Sequence, residues 1–207
     1  MEFQYFGGNC ISIATKKATL VIDDNLAELG LKSITKQDNV SLYTHIPKKV
    51  ASSRLVITDP GEYEVSEVSI FGIAARAHMD ESGAQSATIY KIQYDDLRVA
   101  IVGHIHPDLS EDHLESLGLI DILIIPVGGN GYTLDAVGAM QIVKKIEPKI
   151  VVPTHYEDTE IAYPVPQQPL IEALKVFGVE AADPISKFKP KPVDFSDNLR
   201  IVVLDRQ

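Results

Sequence analysis

The chain has 207 residues, enough for one domain with a sizeable core, and 45% of them are hydrophobic, as in ordinary globular proteins. Its net charge of -10 at pH 7 argues against nucleic acid as a partner, and no apolar run is long enough to cross a membrane. A single cysteine, Cys10, excludes an internal disulfide, and the N-terminus lacks the pattern of a secretion signal, so we expect a cytoplasmic protein.

The first half of the chain predicts a series of short β-strands. Segments rich in apolar and β-branched residues alternate with turn signals such as Gly7-Gly8-Asn9 and Asp59-Pro60-Gly61. The predicted strands span residues 3–5, 11–14, 18–22, 39–44, 54–58, 63–65, 68–75, 87–94 and 97–102. Residues 25–39 are mixed and polar, and they predict a loop with a little helix.

Helices enter only in the second half of the chain. Ser110 is a suitable cap for a short helix through Leu117, and residues 170–177 predict another helix. Two apolar runs, residues 121–127 and 149–153, are typical of strands that are buried on both faces. Many strands followed by late helices indicate two sheets with helices on their outer faces.

A third helix is predicted between those two buried strands. Thr133 is the predicted N-cap, Asp135 lies in the first turn, and Glu147-Pro148 ends the helix. The preceding glycine-rich loop, residues 128–131, lacks the spacing of either common phosphate-binding motif. Residues 160–207 form a Pro-rich segment with a short helix and a closing strand at 199–204, and we assign them to the same single domain, residues 1–207.

Four of the six histidines follow predicted strands within a few residues. They are His45, His78, His104 and His155. Because open α/β sheets place ligands at the carboxyl ends of their strands, these imidazoles converge if the strand ends share one edge. Neutral imidazole is a good ligand for zinc and other first-row metals, so the pattern favours a metal site. The alternative is that these histidines are ordinary loop residues.

The order of these pieces resembles the metallo-β-lactamase fold superfamily, and it is most similar to the small hydrolase-like branch that includes ascorbate-phosphate lactonase. The segments that carry the resemblance are residues 59–65 with 69–73, 88–90, 122–129 with 132–136, and 146–156. The resemblance implies an α/β (α+β) fold, a four-layer αββα sandwich with a metal site where the strand-end loops meet.

The site pattern of that superfamily begins with His-x-His-x-Asp-His after one strand, and this chain keeps only its first residue. His45 matches the first histidine, whereas Pro47, Lys49 and Val50 stand at the second histidine, the aspartate and the last histidine. In the superfamily the aspartate and the last histidine help to hold one metal and orient its water, so the resemblance implies that these ligands are lost, and Lys49 would place an ammonium group near them.

The rest of the pattern is partly kept. His78 matches a lone histidine and His155 matches the final one, but the Gly-Asp pair that bridges two metals in the superfamily is Gly103-His104 here. We therefore expect that bimetallic hydrolysis has been lost. Three neutral imidazoles plus His104 still suffice for one zinc ion or another first-row metal.

In the enzyme interpretation, that single ion activates a water against an ester, lactone or phosphoester. Asp80, His106 and Lys49 are the candidates for moving protons, without a ranking among them. Asp23-Asp24, at the end of an early strand, corresponds to a position that braces the site in the superfamily, although a plain turn explains the pair equally well.

The alternative interpretation is a catalytically inactive protein that keeps the sandwich and binds no metal. Such a protein would hold a partner in the old cleft or on the basic, Pro-rich loop of residues 187–192. The predicted partner is thus a small-molecule substrate or an unidentified protein, with a homo-oligomer left open. An ammonium of Lys49 at the former metal position would favour this interpretation.

Overall fold

The computed structural model describes residues 1–179, 183–196 and 198–207. Within these ranges two sheets pack face to face, a five-stranded sheet of order β1-β2-β3-β4-β5 and a seven-stranded sheet of order β12-β11-β10-β9-β8-β7-β6. The strands are β1 (Glu2–Gly7), β2 (Cys10–Ala14), β3 (Thr19–Ile22), β4 (Val40–Leu42), β5 (Leu55–Ile57), β6 (Gly61–Val65), β7 (Val68–Ala75), β8 (Ala87–Tyr94), β9 (Leu97–Ile101), β10 (Ile122–Pro126), β11 (Ile150–Thr154) and β12 (Arg200–Ile201).

The main core lies between the two sheets. In β1 the side chains alternate, so that Phe3 and Tyr5 point inward and are buried. Across the interface they join inward residues of the other sheet, including Ile70, Ile92 and Ile124. Each such fully buried side chain contributes about 1.5–3 kcal/mol, which fixes the pairing of the sheets.

The three α-helices cover the outer face of the seven-stranded sheet. They are α1 (Glu111–Leu117), α2 (Ala136–Ile146) and α3 (Leu170–Val176). Ile142 of α2 and Leu174 of α3 join the cluster that contains Leu123 and Ile125 of β10. The outer face of the five-stranded sheet is covered instead by a 3₁₀ helix, Leu26–Leu29, and the loop after it. The mixed α/β class with two packed sheets is thus confirmed.

Two details of the prediction are wrong. Asp135, not Thr133, caps α2, because its backbone is extended and its Oδ1 accepts a hydrogen bond from the Gly138 amide at 2.7 Å. The closing strand is shorter than predicted, because the chain leaves β11 after Ile201 and forms isolated bridges elsewhere.

The strand directions bring the histidine loops together. β9, β10 and β11 are parallel, so their carboxyl ends lie at one edge of the seven-stranded sheet. His104 follows β9 and His155 follows β11 at this edge. In the described ranges, no helix is long and apolar enough to span a membrane.

Candidate functional site

Two cavities meet at the edge where the strand-end loops gather. A cleft of about 640 Å³ is lined by polar residues that include His45, His104 and Tyr132. The same three residues, together with His78, line a smaller cavity of about 90 Å³. Three of the four predicted histidines therefore border one space. A larger groove of about 920 Å³ lies on the outer face of the five-stranded sheet, and none of the histidines lines it.

His155 lies beneath this space and is only 2% exposed. Its backbone adopts φ 53°, and its amide donates to the carbonyl of Gly8 at 2.8 Å. Its ring Nδ1 lies 3.0 Å from Oε1 of Gln167, whose own amide group donates to the carbonyl of Val165. This arrangement makes Nδ1 the protonated nitrogen and leaves the lone pair on Nε2. Burial lowers the pKa of His155 to about 4, so the ring is neutral at pH 7.

His104 lies between His155 and Tyr132. Its ring centroid is 4.5 Å from that of His155 and 5.0 Å from that of Tyr132, with both contacts edge to face. Burial, and then the neighbouring His155, lower its pKa well below the ordinary value. Its Nδ1 is buried and has no hydrogen-bond partner among the described residues. Gln167 and Tyr132 were missed as site residues. Gln167 stands in no motif, and Tyr132, although it begins the 132–136 segment of the resemblance, is not part of the histidine and aspartate pattern of the site.

A buried brace fixes the two loops that carry His45 and His104. Asp23 accepts hydrogen bonds from the Thr44 amide at 2.7 Å and from the Thr44 hydroxyl at 2.6 Å. Gly103 lies directly against Thr44, since a Cβ at Gly103 would come within 2.1 Å of Thr44 Oγ1. Thr44 precedes His45 and Gly103 precedes His104, so this contact sets the spacing of both rings. The bracing interpretation of Asp23 therefore has a structural basis.

His78 lines the smaller cavity, and His106 lies next to it. The His78 amide donates to the carbonyl of His104 at 2.7 Å, and burial lowers the pKa of the His78 ring. The rings of His78 and His106 are 6.3 Å apart between centroids. His106 Nδ1 faces Asp108, whose amide donates to it at 3.3 Å. His106 therefore borders the site without lining either cavity.

Asp80 and Lys49 line neither of the two cavities. The Asp80 carboxylate accepts hydrogen bonds from the amides of Ser86 and Ala77, each at 2.9 Å, and from the Ser86 hydroxyl. These bonds, first that of the Ser86 amide, lower the pKa of Asp80. Lys49 is exposed and lines neither cavity, whereas Lys48 lines the cleft of about 640 Å³.

The sequence profile of the family described as "Beta-lactamase superfamily domain" matches residues 2–155, about three quarters of the chain. The chain belongs to this family. The match ends at His155. It includes all four predicted histidines and every strand of both sheets except β12. The resemblance seen in the sequence is thereby confirmed.

Two relatives carry the name UPF0173. A UPF0173 protein of Pyrococcus abyssi is 25% identical over 179 residues, which are 75% of this chain and 83% of that protein. A UPF0173 metal-dependent hydrolase of Thermoplasma acidophilum is 36% identical over 58 residues. That second match covers 27% of this chain and only 25% of the relative.

Solved structures share the fold at low sequence identity. A protein of the metallo-beta-lactamase superfamily from Thermotoga maritima has a TM-score of 0.77 and 20% identity, and covers 99% of this chain and 100% of its own. Igni18, a metallo hydrolase of Ignicoccus hospitalis, has a TM-score of 0.62 and 18% identity. The match covers 92% of this chain and 99% of Igni18. An isothiocyanate hydrolase from Delia radicum gut bacteria has a TM-score of 0.63 and 12% identity. The match covers 100% of this chain and 97% of that hydrolase.

The metal centre implied by the superfamily can be tested against the residues of this member. In residues 1–179, 183–196 and 198–207, no group of three or more His, Cys, Asp or Glu side chains is placed to hold a metal ion. His104, which the sequence resemblance places at the bridging carboxylate, is turned into an aromatic contact with His155. A two-metal centre therefore does not fit this arrangement.

Two buried groups of this superfamily member oppose each other in their effect on stability at acidic pH. Burial raises the Asp23 pKa from 3.8 to about 7. Between about pH 4 and 7 the folded state therefore binds more protons at Asp23 than the unfolded state does, and the contribution of Asp23 to stability falls as pH rises. Burial lowers the His155 pKa from 6.5 to about 4. Between these pH values the unfolded state binds more protons at His155 than the folded state does, so the contribution of His155 to stability rises with pH.

We therefore expect Asp23→Asn to make the protein more sensitive to acid. The variant loses the contribution of Asp23, which stabilises the folded state at low pH, and keeps that of His155. The free energy of unfolding of the variant minus that of wild type should therefore be about 2–3 kcal/mol higher at pH 8 than at pH 5, since one pKa unit is about 1.4 kcal/mol. Urea unfolding at both pH values measures this difference. A difference that stays constant between pH 5 and 8 would contradict the assignment of a raised pKa to Asp23.

Proposed function

We propose that the protein binds a small organic molecule in the cleft of His45, His104 and Tyr132, and that it does so without the two-metal centre of its superfamily. The observation that carries this proposal is the combination of an open cleft of about 640 Å³ with side chains that are not placed to hold a metal ion, as far as the chain is described. The cleft volume is in the range of small-molecule sites.

The charges around the cleft support binding rather than hydrolysis. The two carboxylates expected from the superfamily pattern are Lys49 and His104 here. Asp23, which does line the cleft, is engaged with Thr44 through both oxygens. The imidazoles of His104 and His155 are held neutral by burial. Uncharged, hydrogen-bonding side chains orient a polar ligand, but they supply no activated water of their own.

The test is the metal content of untagged protein that is purified without chelator. We expect elemental mass spectrometry to find no stoichiometric zinc or iron, and the melting temperature to be the same before and after EDTA, because a ligand that is not bound cannot add stability. About one transition-metal ion per chain, together with a lower melting temperature after EDTA, would overturn the proposal.

A second candidate is a mononuclear hydrolase of an ester, lactone or phosphoester. It is favoured by the common cavity of His45, His78 and His104 and by the names of the relatives, which include a metal-dependent hydrolase. One zinc ion on these residues and His155 would require their side chains to move together. The metal measurement separates this candidate from the first, and a chelator-sensitive turnover of a lactone or phosphoester would establish it.

The substitution His104→Phe distinguishes the two candidates through stability. The phenyl ring keeps the edge contacts with His155 and Tyr132 and removes the buried Nδ1 that lacks a partner, but it also removes the hydrogen bond between the ring and the Tyr132 backbone. Because these two effects offset each other, under the metal-free proposal we expect a change in stability of no more than about 1 kcal/mol, or about 2–4 °C in Tm, and no effect of added zinc. Under the mononuclear candidate the same change removes a ligand, so the stabilisation by added zinc is reduced. Thermal unfolding with and without zinc measures the difference.

A further inference from the structure

The smaller of the two joined cavities differs in chemical character from the cleft. Its volume is about 90 Å³, and among the described residues no Asp, Glu, Lys or Arg side chain lines it. The charged side chains of the site, Asp23, Glu28 and Lys48, all line the cleft instead. The smaller cavity is lined by two apolar side chains and four rings, namely those of Ala77, Met79, Tyr132, His45, His78 and His104. A ligand that reaches both cavities therefore meets one apolar end and one polar end.

Two paired segments of the backbone form the wall of the smaller cavity. Residues 76–78 and 104–106 run antiparallel, with Ala77 bridged to Ile105. Both Ala77 and Ile105 are buried. Two backbone hydrogen bonds of 2.7 Å and 2.9 Å flank the bridge, from the His78 amide to the His104 carbonyl and from the His106 amide to the Arg76 carbonyl. The backbone therefore fixes the width of the cavity.

Met79 lies in a tightly held turn at the mouth of this cavity. It lines the cavity, yet the residue is 72% exposed. The Asp80 amide donates to the Ala77 carbonyl at 3.1 Å, and the Asp80 carboxylate accepts the Ala77 amide at 2.9 Å. The Arg76 guanidinium donates to the Asp80 carbonyl at 2.8 Å and 3.0 Å. A single exposed apolar side chain is ordinary, but one that is held at a cavity mouth offers its surface to a molecule that enters.

We propose that the smaller cavity takes a compact apolar end of the ligand, an alkyl group of a few carbons, while the rest of the ligand lies in the cleft. The inference rests on the function proposed above and names the ligand class as a small amphipathic molecule. A cavity of about 90 Å³ holds about three or four carbon atoms, in proportion to benzene in a cavity of about 150 Å³, so all its walls touch one such group. Burial of apolar area against Ala77, Met79 and Tyr132 drives the binding.

A charged end fits the smaller cavity poorly. An ion there would lose its water without gaining an opposite carboxylate, ammonium or guanidinium, since none of the described residues places one in the lining. The cleft offers such groups at its exposed side, where the Glu28 carboxylate accepts the Lys48 backbone amide at 3.0 Å. The ligand is therefore oriented with its apolar end inward and its polar end toward Glu28 and Lys48.

The experiment measures affinity along a series of N-alkylacetamides, which share one uncharged polar end and differ in the alkyl group from methyl to hexyl. Each is titrated in EDTA into full-length ¹⁵N-labelled protein that also carries ¹³C-labelled Met and Ala methyl groups, and is followed by NMR. We expect the affinity to rise about fourfold for each added CH₂ group up to propyl or butyl and then to level off, because the cavity is then full. The methyl signals of Ala77 and Met79 should shift.

Two variants change the cavity in different ways. Ala77→Val adds two carbons to the wall, so the affinity should stop rising at a shorter alkyl group than in wild type. Met79→Ala removes the side chain at the mouth, so the gain for each CH₂ group should fall below about fourfold. Leu119→Ala is the matched control and should bind the series like wild type, since Leu119 is 73% exposed and lines neither cavity.

The outcomes separate this inference from the proposed function. If the amides shift signals of His45 and Tyr132 but bind equally well at every alkyl length, the apolar-end inference fails while small-molecule binding in the cleft stands. A rise in affinity that is the same in wild type and Met79→Ala, and levels off at the same length in Ala77→Val, also overturns the inference. Met79→Ala decides alone if Ala77→Val does not fold. If no amide shifts signals of His45, His104 or Tyr132 at its solubility limit, both this inference and the proposed binding function fail.

Discussion

Gly103→Ala should destabilise the protein by about 2–5 kcal/mol, a large effect for a single methyl group. Gly103 has φ 55°, where an L-residue costs about 1–2 kcal/mol. The new Cβ would also lie 2.1 Å from Oγ1 and 2.5 Å from Cβ of Thr44. Thr44 cannot retreat, because both its amide and its hydroxyl are bound to Asp23, and overpacking of this kind adds about 1–3 kcal/mol.

Gly131→Ala is the matched control for this prediction. Gly131 has φ 71°, but a Cβ there meets nothing within 4 Å. It should therefore cost only the backbone term, about 1–2 kcal/mol. Urea unfolding of both variants isolates the contact between Gly103 and Thr44. Equal losses in the two variants would mean that Thr44 does not hold the His104 loop against the His45 loop.

The sheets could be predicted from the sequence because their signals are local. β1 alternates between buried and half-exposed residues, and β10 and β11 are unbroken apolar runs, which is the pattern of parallel strands that are buried on both faces. The element boundaries that were predicted wrongly depend on which of several neighbouring residues takes a given role. The helix begins at Ala136, so Asp135, whose backbone is extended, is its cap, whereas a single sequence offers both Thr133 and Asp135 as caps.

The positions of the histidines were predictable, but their geometry was not. Three of the four border one space because strand ends share an edge, which is a property of the fold. Their side-chain directions depend on contacts that no motif encodes. Gln167, which orients His155, lies in a Pro-rich segment that looked like a connection. Tyr132, which packs on His104, lies in a loop whose glycines drew attention instead.

In the described residues no side chains are grouped for a metal ion, although the fold is that of the superfamily. β4, β9 and β11 deliver His45, His104 and His155 to the site. The sequence resemblance assigns the difference to the loop after His45, whose residues Lys49 and Val50 are exposed, and to the imidazole at position 104. Because Lys49 and Val50 do not support the core, they can be exchanged without the cost of core substitutions.

We therefore expect the combined variant P47H/K49D/V50H/H104D to bind zinc more tightly than the wild-type protein. It adds two carboxylates and two imidazoles in the order of the superfamily pattern, while His45, His78 and His155 remain. Zinc that binds only the folded state would stabilise it by about 4 kcal/mol at a thousandfold excess over Kd. Elemental mass spectrometry gives the stoichiometry, and unfolding with and without zinc gives the linked stability.

Partial variants identify which residues matter. H104D alone leaves the loop after His45 without ligands, and P47H/K49D/V50H alone leaves the imidazole of residue 104 against His155, so each should take up less zinc than the combined variant. If the combined variant folds and still binds no zinc, the loops no longer deliver their side chains to one point, and the loss of the metal centre lies in the backbone. If wild type already binds as much zinc, His45, His78, His104 and His155 close on an ion by themselves, and the mononuclear hydrolase becomes the function to pursue.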